Sequence, residues 1–151
     1  MKKFPFLRLT LTLAVCGFLA AQAWAQAPAA SPADSLYKSL GEKTGLIRLM
    51  DDFVPRLFND PRIGVHFKKT NAKNLKEQLV DQICMASGGP CVYKGGDMKS
   101  AHADMDITKG DFNALVEALQ LAMDAQGIAF AAQNQLLARL APMHRDVITV
   151  K

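Results

Sequence analysis

The chain has three histidines, His66, His102 and His144. No two are spaced i, i+4, and none stands beside an acid in a zincin-type pattern, so a metal site built from one stretch of helix is disfavoured. There is no Gly-x-Ser-x-Gly elbow. Ser87-Gly88-Gly89 and Lys94-Gly95-Gly96 are glycine-rich, but no Walker lysine-serine pattern follows either, and they read as a helix end and a loop. His102 differs from the other two. It follows Met98-Lys99-Ser100-Ala101 on a very short helix between a glycine loop and Ile107. One imidazole flanked by Met98, Met105 and Ile107 suits an iron ligand against an apolar wall. On composition alone, an ordinary core or surface histidine remains the better reading.

The cysteines are Cys16, Cys84 and Cys91. A continuous helix would hold Cys84 and Cys91 too far apart to bond. Gly88-Gly89-Pro90 breaks that helix and gives the chain a way to fold back, so a disulfide and two free thiols both stay open. Neither a Cys-x-x-Cys redox motif nor the Cys-x-x-Cys-His of c-type haem attachment is present.

Helices must position these residues. Ser35 to Leu40 is a short helical start. Leu46, Ile47, Leu49, Met50, Phe53, Val54, Leu57 and Phe58 form one helical stripe, with a kink or early end expected at Pro55. Asp60-Pro61 starts a short piece that ends near Phe67. Asn71 or Ala72 to about Ala86 carries Leu75, Leu79, Val80 and Ile83 on one side. Asp97 caps a turn or two from Met98 to Ala103. Thr108 and Asp111 form a capping-box pattern ahead of Phe112, Leu115, Val116, Leu119, Ala122 and Met123, and Gly127 stops that helix. The last helix is expected from about Ala129 to Val147, with Phe130, Leu136, Leu137, Leu140 and Met143 in its stripe and Pro142 near its end. No stretch shows strand alternation, so the chain is predicted to be all-α.

A total of 151 residues, half of them hydrophobic, is enough for one domain of ordinary size. Met1 to Arg8 is basic, Leu9 to Ala21 is largely apolar, and Ala23-Trp24-Ala25 offers a small-x-small cleavage site. Residues 1–25 therefore read as a signal peptide, with export to a bacterial periplasm. The apolar run is shorter than a spanning helix needs, so no membrane association is expected after cleavage. Residues 26–34 read as a flexible leader and 35–151 as the folded domain. Without Lys2, Lys3 and Arg8 the 18 basic residues become 15, against 14 acidic. Nucleic acid is then disfavoured as a partner, because phosphate neutralisation needs clustered cations.

Ser35-Leu-Tyr-Lys-Ser-Leu-Gly41, Asp52-Phe53, Phe67, Gly88-Gly89-Pro90, Tyr93, Met98-Lys99-Ser-Ala-His102 and Ala141-Pro142 fall in an order and spacing that resemble the group I truncated haemoglobins. The resemblance runs from about Ser35 to Val147. It implies a truncated globin-like two-over-two helical sandwich holding haem b. His102 would be the proximal iron ligand, and Phe67 would stack on the porphyrin face. Leu75 and Leu79 would line the distal side, while Phe53 and Val54 would close the pocket. Met98, Ile107 and Phe112 would be apolar walls. Lys99, with Lys73 or Lys76 as further candidates, would reach the propionates, and Thr70 would lie near the haem edge.

Many relatives of that kind carry a tyrosine where Val54 stands, and often a glutamine at the Leu75 or Leu79 position. All three are aliphatic here, which leaves Gln78 and Gln82 as the polar candidates and a poor hydrogen-bond donor as the expectation. Glu42 replaces the second residue of a usual Gly-Gly. His144 falls near a histidine that modifies haem covalently in some relatives, but reads better as exposed. The resemblance implies a diatomic gas as ligand and a reductant that the sequence does not name. Nitric oxide dioxygenation or peroxidase-like turnover is the alternative, and a non-haem helical interaction module is the third reading.

Overall fold

The computed structural model describes residues 32–150. The expected signal peptide and the leader as far as residue 31 lie outside the described residues. Helix α1 (Pro32–Ser39) takes in the leader's last three residues, with proline in its first turn. It is followed by α2 (Glu42–Asn59), a 3-10 turn (Gly64–Phe67), α3 (Ala72–Ala86) and α4 (Met98–Ala101). Then come α5 (Lys109–Ala125), α6 (Phe130–Leu140), a second 3-10 turn (Ala141–Met143) and α7 (His144–Val147). Among the described residues there is no strand, and no helix is long and apolar enough to cross a membrane.

The α2 helix packs on both α3 and α5, and α3 packs on α6, so two helices lie over two. The core is built from α2 (Leu46, Leu49, Met50, Phe53, Leu57), the inner side of α3 (Val80, Ile83, Cys84), α5 (Ala114, Ala118, Leu119, Ala122, Met123) and α6 (Ala132, Leu136). Ala114, Ala118 and Ala122 recur every four residues, a small-residue row that lets α2 approach closely.

Four expectations are corrected. Of the kink or early end expected at Pro55, the early end does not occur in α2. The helix continues to Asn59, because Leu57, beyond the proline, is 1% exposed and so anchors the last turn. Pro55 and Asp51, whose carbonyl loses a partner, are both exposed, where water can serve that carbonyl. The short piece after Asp60-Pro61 becomes helical only at Gly64, since the Asp60 carboxylate first closes a local turn on the Arg62 N–H. The last helix is not continuous: Pro142 divides it into α6, a 3-10 turn and α7. Phe130, assigned to its buried stripe, is 72% exposed at the first residue of α6.

The Gly88-Gly89-Pro90 break folds the chain back as its residue types allow. Gly88 takes a φ of 86°, and the Gly89 N–H donates to the Cys84 carbonyl at 2.8 Å. Cys91 thereby returns to Cys84, and the two form a disulfide with a Cα–Cα distance of 5.7 Å.

Candidate functional site

His102 is delivered by four residues of helix and one cap. The Asp97 carboxylate accepts from the Ser100 N–H at 2.9 Å and from the Ser100 hydroxyl at 2.7 Å. These bonds, the hydroxyl first, hold the Asp97 carboxyl below its ordinary value of 3.8. His102 lies at the C-terminal end of α4. Its backbone N–H donates to the Met98 carbonyl, and its ring Nδ1 lies 2.7 Å from the same oxygen. A carbonyl only accepts, so Nδ1 carries the proton of that bond. Nε2 is left with its lone pair, the form in which imidazole ligates a metal.

The chain turns sharply beyond His102. Asp104 (φ 60°) and Asp106 (φ 51°) are both left-handed, a conformation aspartate tolerates better than most residues. The turn brings Ile107 against the C-terminal segment. The Ile107 N–H donates to the Thr149 hydroxyl at 2.7 Å, and its carbonyl accepts from the N–H groups of Thr149 and Val150. This clamp closes the histidine segment from behind, and α4 also packs on α7.

The facing side comes from α3, whose cap is Asn71 accepting from the Asn74 N–H. Leu75 and Leu79 are half-buried on a face that adjoins Ile83, and Leu79 packs against the core. Gln82 continues that face and is only 9% exposed. Its Nε2 lies 3.3 Å from the Met98 sulfur and 3.7 Å from the Met143 sulfur. Three elements therefore converge at Gln82: α3, α4 and the turn before α7. The Met143 contact and the Ile107–Thr149 clamp are features the sequence reading did not contain. Gln78, the other polar candidate, is half-buried, three residues from Leu75 and four from Gln82.

The remaining expected residues surround this convergence or lie apart from it. Phe53 and Val54 are buried on α2, and Phe53 is part of the central core. Phe67 is half-buried, its ring centroid 5.5 Å from that of Phe58. Thr70 is half-buried, its N–H donating to the Phe67 carbonyl. Ile107 is buried, and Met98 and Phe112 are half-buried. The Phe112 ring meets exposed His144 edge-on at 6.1 Å. Lys99 and Lys73 are exposed, whereas Lys76 is engaged by Asp51. His66 is turned to Asp111, 3.7 Å away.

Among the described residues no group of three or more His, Cys, Asp or Glu is arranged to hold a bare metal ion. A single imidazole with half-buried Met98 on its own short helix and half-buried Leu75 and Leu79 on α3 fits a metal that brings its own planar, apolar chelate.

A family model described as bacterial-like globin matches residues 35–149. A group 1 truncated hemoglobin of Mycolicibacterium paratuberculosis is 30% identical over 120 residues, covering 80% of this chain and 88% of the relative. The crystal structure of truncated hemoglobin from Tetrahymena pyriformis in its Fe(III) form superposes with a TM-score of 0.72 at 26% identity, covering 75% of this chain and 97% of that one. The group II truncated hemoglobin from Bacillus anthracis shares the fold at 19% identity, with a TM-score of 0.69.

Proposed function

The chain belongs to the bacterial-like globins, as a group I truncated haemoglobin, and on that premise we propose that it holds haem b through His102 and binds a diatomic ligand. The observation that carries this reading is the hydrogen bond between the His102 ring Nδ1 and the Met98 carbonyl, which in the neutral imidazole selects the tautomer whose Nε2 bears the lone pair. When bound, haem would supply an iron able to take up a gas molecule. The chain's own residues do the rest. The Asp97 cap and the clamp at Ile107 fix where the imidazole stands. Phe67, Met98, Ile107 and Phe112 give apolar surface to the macrocycle, and Leu75 and Leu79 with Val54 and Phe53 exclude water from the opposite side. Lys99 and Lys73 are exposed and are the cations of this reading for the propionates, with Thr70 as its haem-edge residue. Lys76, already held by Asp51, is the weaker choice.

The site belongs to an exported protein on this proposal. Residues 1–25 are removed, 26–34 link, and 35–151 form the globin domain in the periplasm. The Cys84–Cys91 bond agrees with an oxidising compartment. The deciding experiment is absorption spectroscopy of the mature protein in its ferric, ferrous and ferrous-carbonyl forms, beside His102→Ala. The wild type is expected to show a Soret band that moves on reduction and on adding carbon monoxide. A colourless wild type, or a His102→Ala protein with the same spectra and haem content, would overturn the reading.

A further inference from the structure

We propose that Gln82 is the specificity-determining residue of the pocket: its carboxamide gives up two thioether contacts to donate a hydrogen bond to the gas ligand. The inference rests on the haem reading above. It starts from an energetic oddity. Gln82 is more than nine-tenths buried, and its Nε2 meets two sulfurs, of Met98 at 3.3 Å and Met143 at 3.7 Å. A thioether is a weak acceptor, so this amide is desolvated without a strong partner. Burying such a donor costs stability, and a leucine or methionine of similar volume would avoid the cost.

The position says what the amide is for. Leu75, Leu79 and Gln82 are spaced four and three, which puts them on one face of α3. Side chains of a helix lean toward its N-terminus, so Gln82 covers the turn at Leu79 rather than the turn beyond itself. Val54, Leu75 and Leu79 offer no hydrogen, and Gln82 is the buried polar side chain of that face. An oxygen acceptor carrying partial charge outbids a thioether for the same N–H. The sulfurs thus keep the donor inside the pocket, loosely enough to be exchanged for a ligand. The sulfur of Met98 holds this amide while its carbonyl orients His102, so one residue touches both sides of the site.

The test uses carbon monoxide and dioxygen as probes on the haem-loaded protein, and thermal unfolding on the haem-free protein. A donor to the bound carbonyl lowers its C–O stretching frequency. Gln82→Met is expected to raise that frequency, to remove its shift between H2O and D2O, and to speed dioxygen release by about tenfold. The haem-free Gln82→Met protein is expected to unfold at or above the wild-type temperature, since a poorly partnered amide has gone. An unchanged stretch and off-rate in Gln82→Met would overturn the proposal, as would a response in Gln78→Met instead. Should the variant fail to retain haem, the wild type still decides: a C–O stretch that is identical in H2O and D2O removes the donor. A wild type that forms no carbonyl complex would instead sink the haem reading itself.

Discussion

The Nδ1 atom of His102 and the carbonyl oxygen of Met98 lie 2.7 Å apart, one helical turn from each other on α4. That bond sets the tautomer and the rotation of the ring together, and replacing the ring removes the proposed protein bond to iron. His102→Ala is expected to bind haem at well below one equivalent and to release it on gel filtration. His102→Gln, which keeps a polar chain of similar reach but a poorer ligand, is expected to do little better. Haem titration followed at the Soret band checks both.

How His102 is held was partly readable in advance. Asp97 as the cap of a one- or two-turn helix and the Thr108–Asp111 box follow from chemistry within three residues, and both occur. The features that sequence reading missed depend on distant partners. Gln82 reads on paper as a residue one turn past Leu79. Its character comes from Met98 and Met143, 16 and 61 residues away. The clamp between Ile107 and Thr149 spans 42 residues. The early end considered at Pro55 fails for a related reason. Local chemistry allows a kink or an end, and the helix continues through the burial of Leu57 and the exposure of the carbonyl that loses its bond.

Acid is expected to release haem by dissolving the cap of α4. The Asp97 carboxyl is held below 3.8, so its hydrogen bonds to Ser100 favour the ionised folded form. The sign follows from linkage: this contribution is fully present above the unfolded value and is lost as pH falls through the lower, folded one. The window therefore opens near 3.8 and extends downward. Asp97→Asn, still a good cap, is expected to keep haem at neutral pH. Asp97→Ala, with no side-chain acceptor, is expected to lose haem several-fold faster at pH 7. Transfer of haem to an excess of an apo-globin acceptor, followed across pH, measures all three proteins.

Export and the disulfide are read together by one intact-mass measurement. Periplasmic protein is expected to begin near Gln26 and to weigh two hydrogens less than the reduced mature chain. A mass that retains residues 1–25, or a lipid adduct on Cys16, would refute cleavage. Two free thiols in exported material would refute the bond. The loop closed between Cys84 and Cys91 is short, so the chain-entropy model gives about 2–3 kcal/mol for the crosslink. Cys84→Ser with Cys91→Ser is expected to lower unfolding stability by about that amount from the lost crosslink, with a further loss at position 84. That further loss comes from the burial of Cys84, where a hydroxyl replaces sulfur in the core. Comparing the double variant with the reduced wild type separates the two contributions.

Val54→Tyr tests whether the face opposite His102 lacks a second donor. Val54 is 5% exposed on α2, next in sequence to the core residue Phe53. A phenol there adds volume to a packed position, and overpacking of this kind costs about 1–3 kcal/mol. It also brings a hydroxyl that can donate to a gas ligand. A donor to a charge-polarised acceptor contributes more than a neutral bond, enough for about tenfold in a dissociation rate. In the wild-type background the tyrosine adds to the donor supplied by Gln82, so slower dioxygen release is expected, with lower thermal stability. In a Gln82→Met background the same tyrosine is the sole new donor, and it is expected to recover most of the rate lost. Stopped-flow displacement of dioxygen by carbon monoxide, run on wild type, both single variants and the double variant, gives the four rates of the cycle. If Val54→Tyr changes stability but leaves the off-rate of both backgrounds alone, the Val54 side chain does not face the ligand, and the distal wall must be drawn from α3 alone.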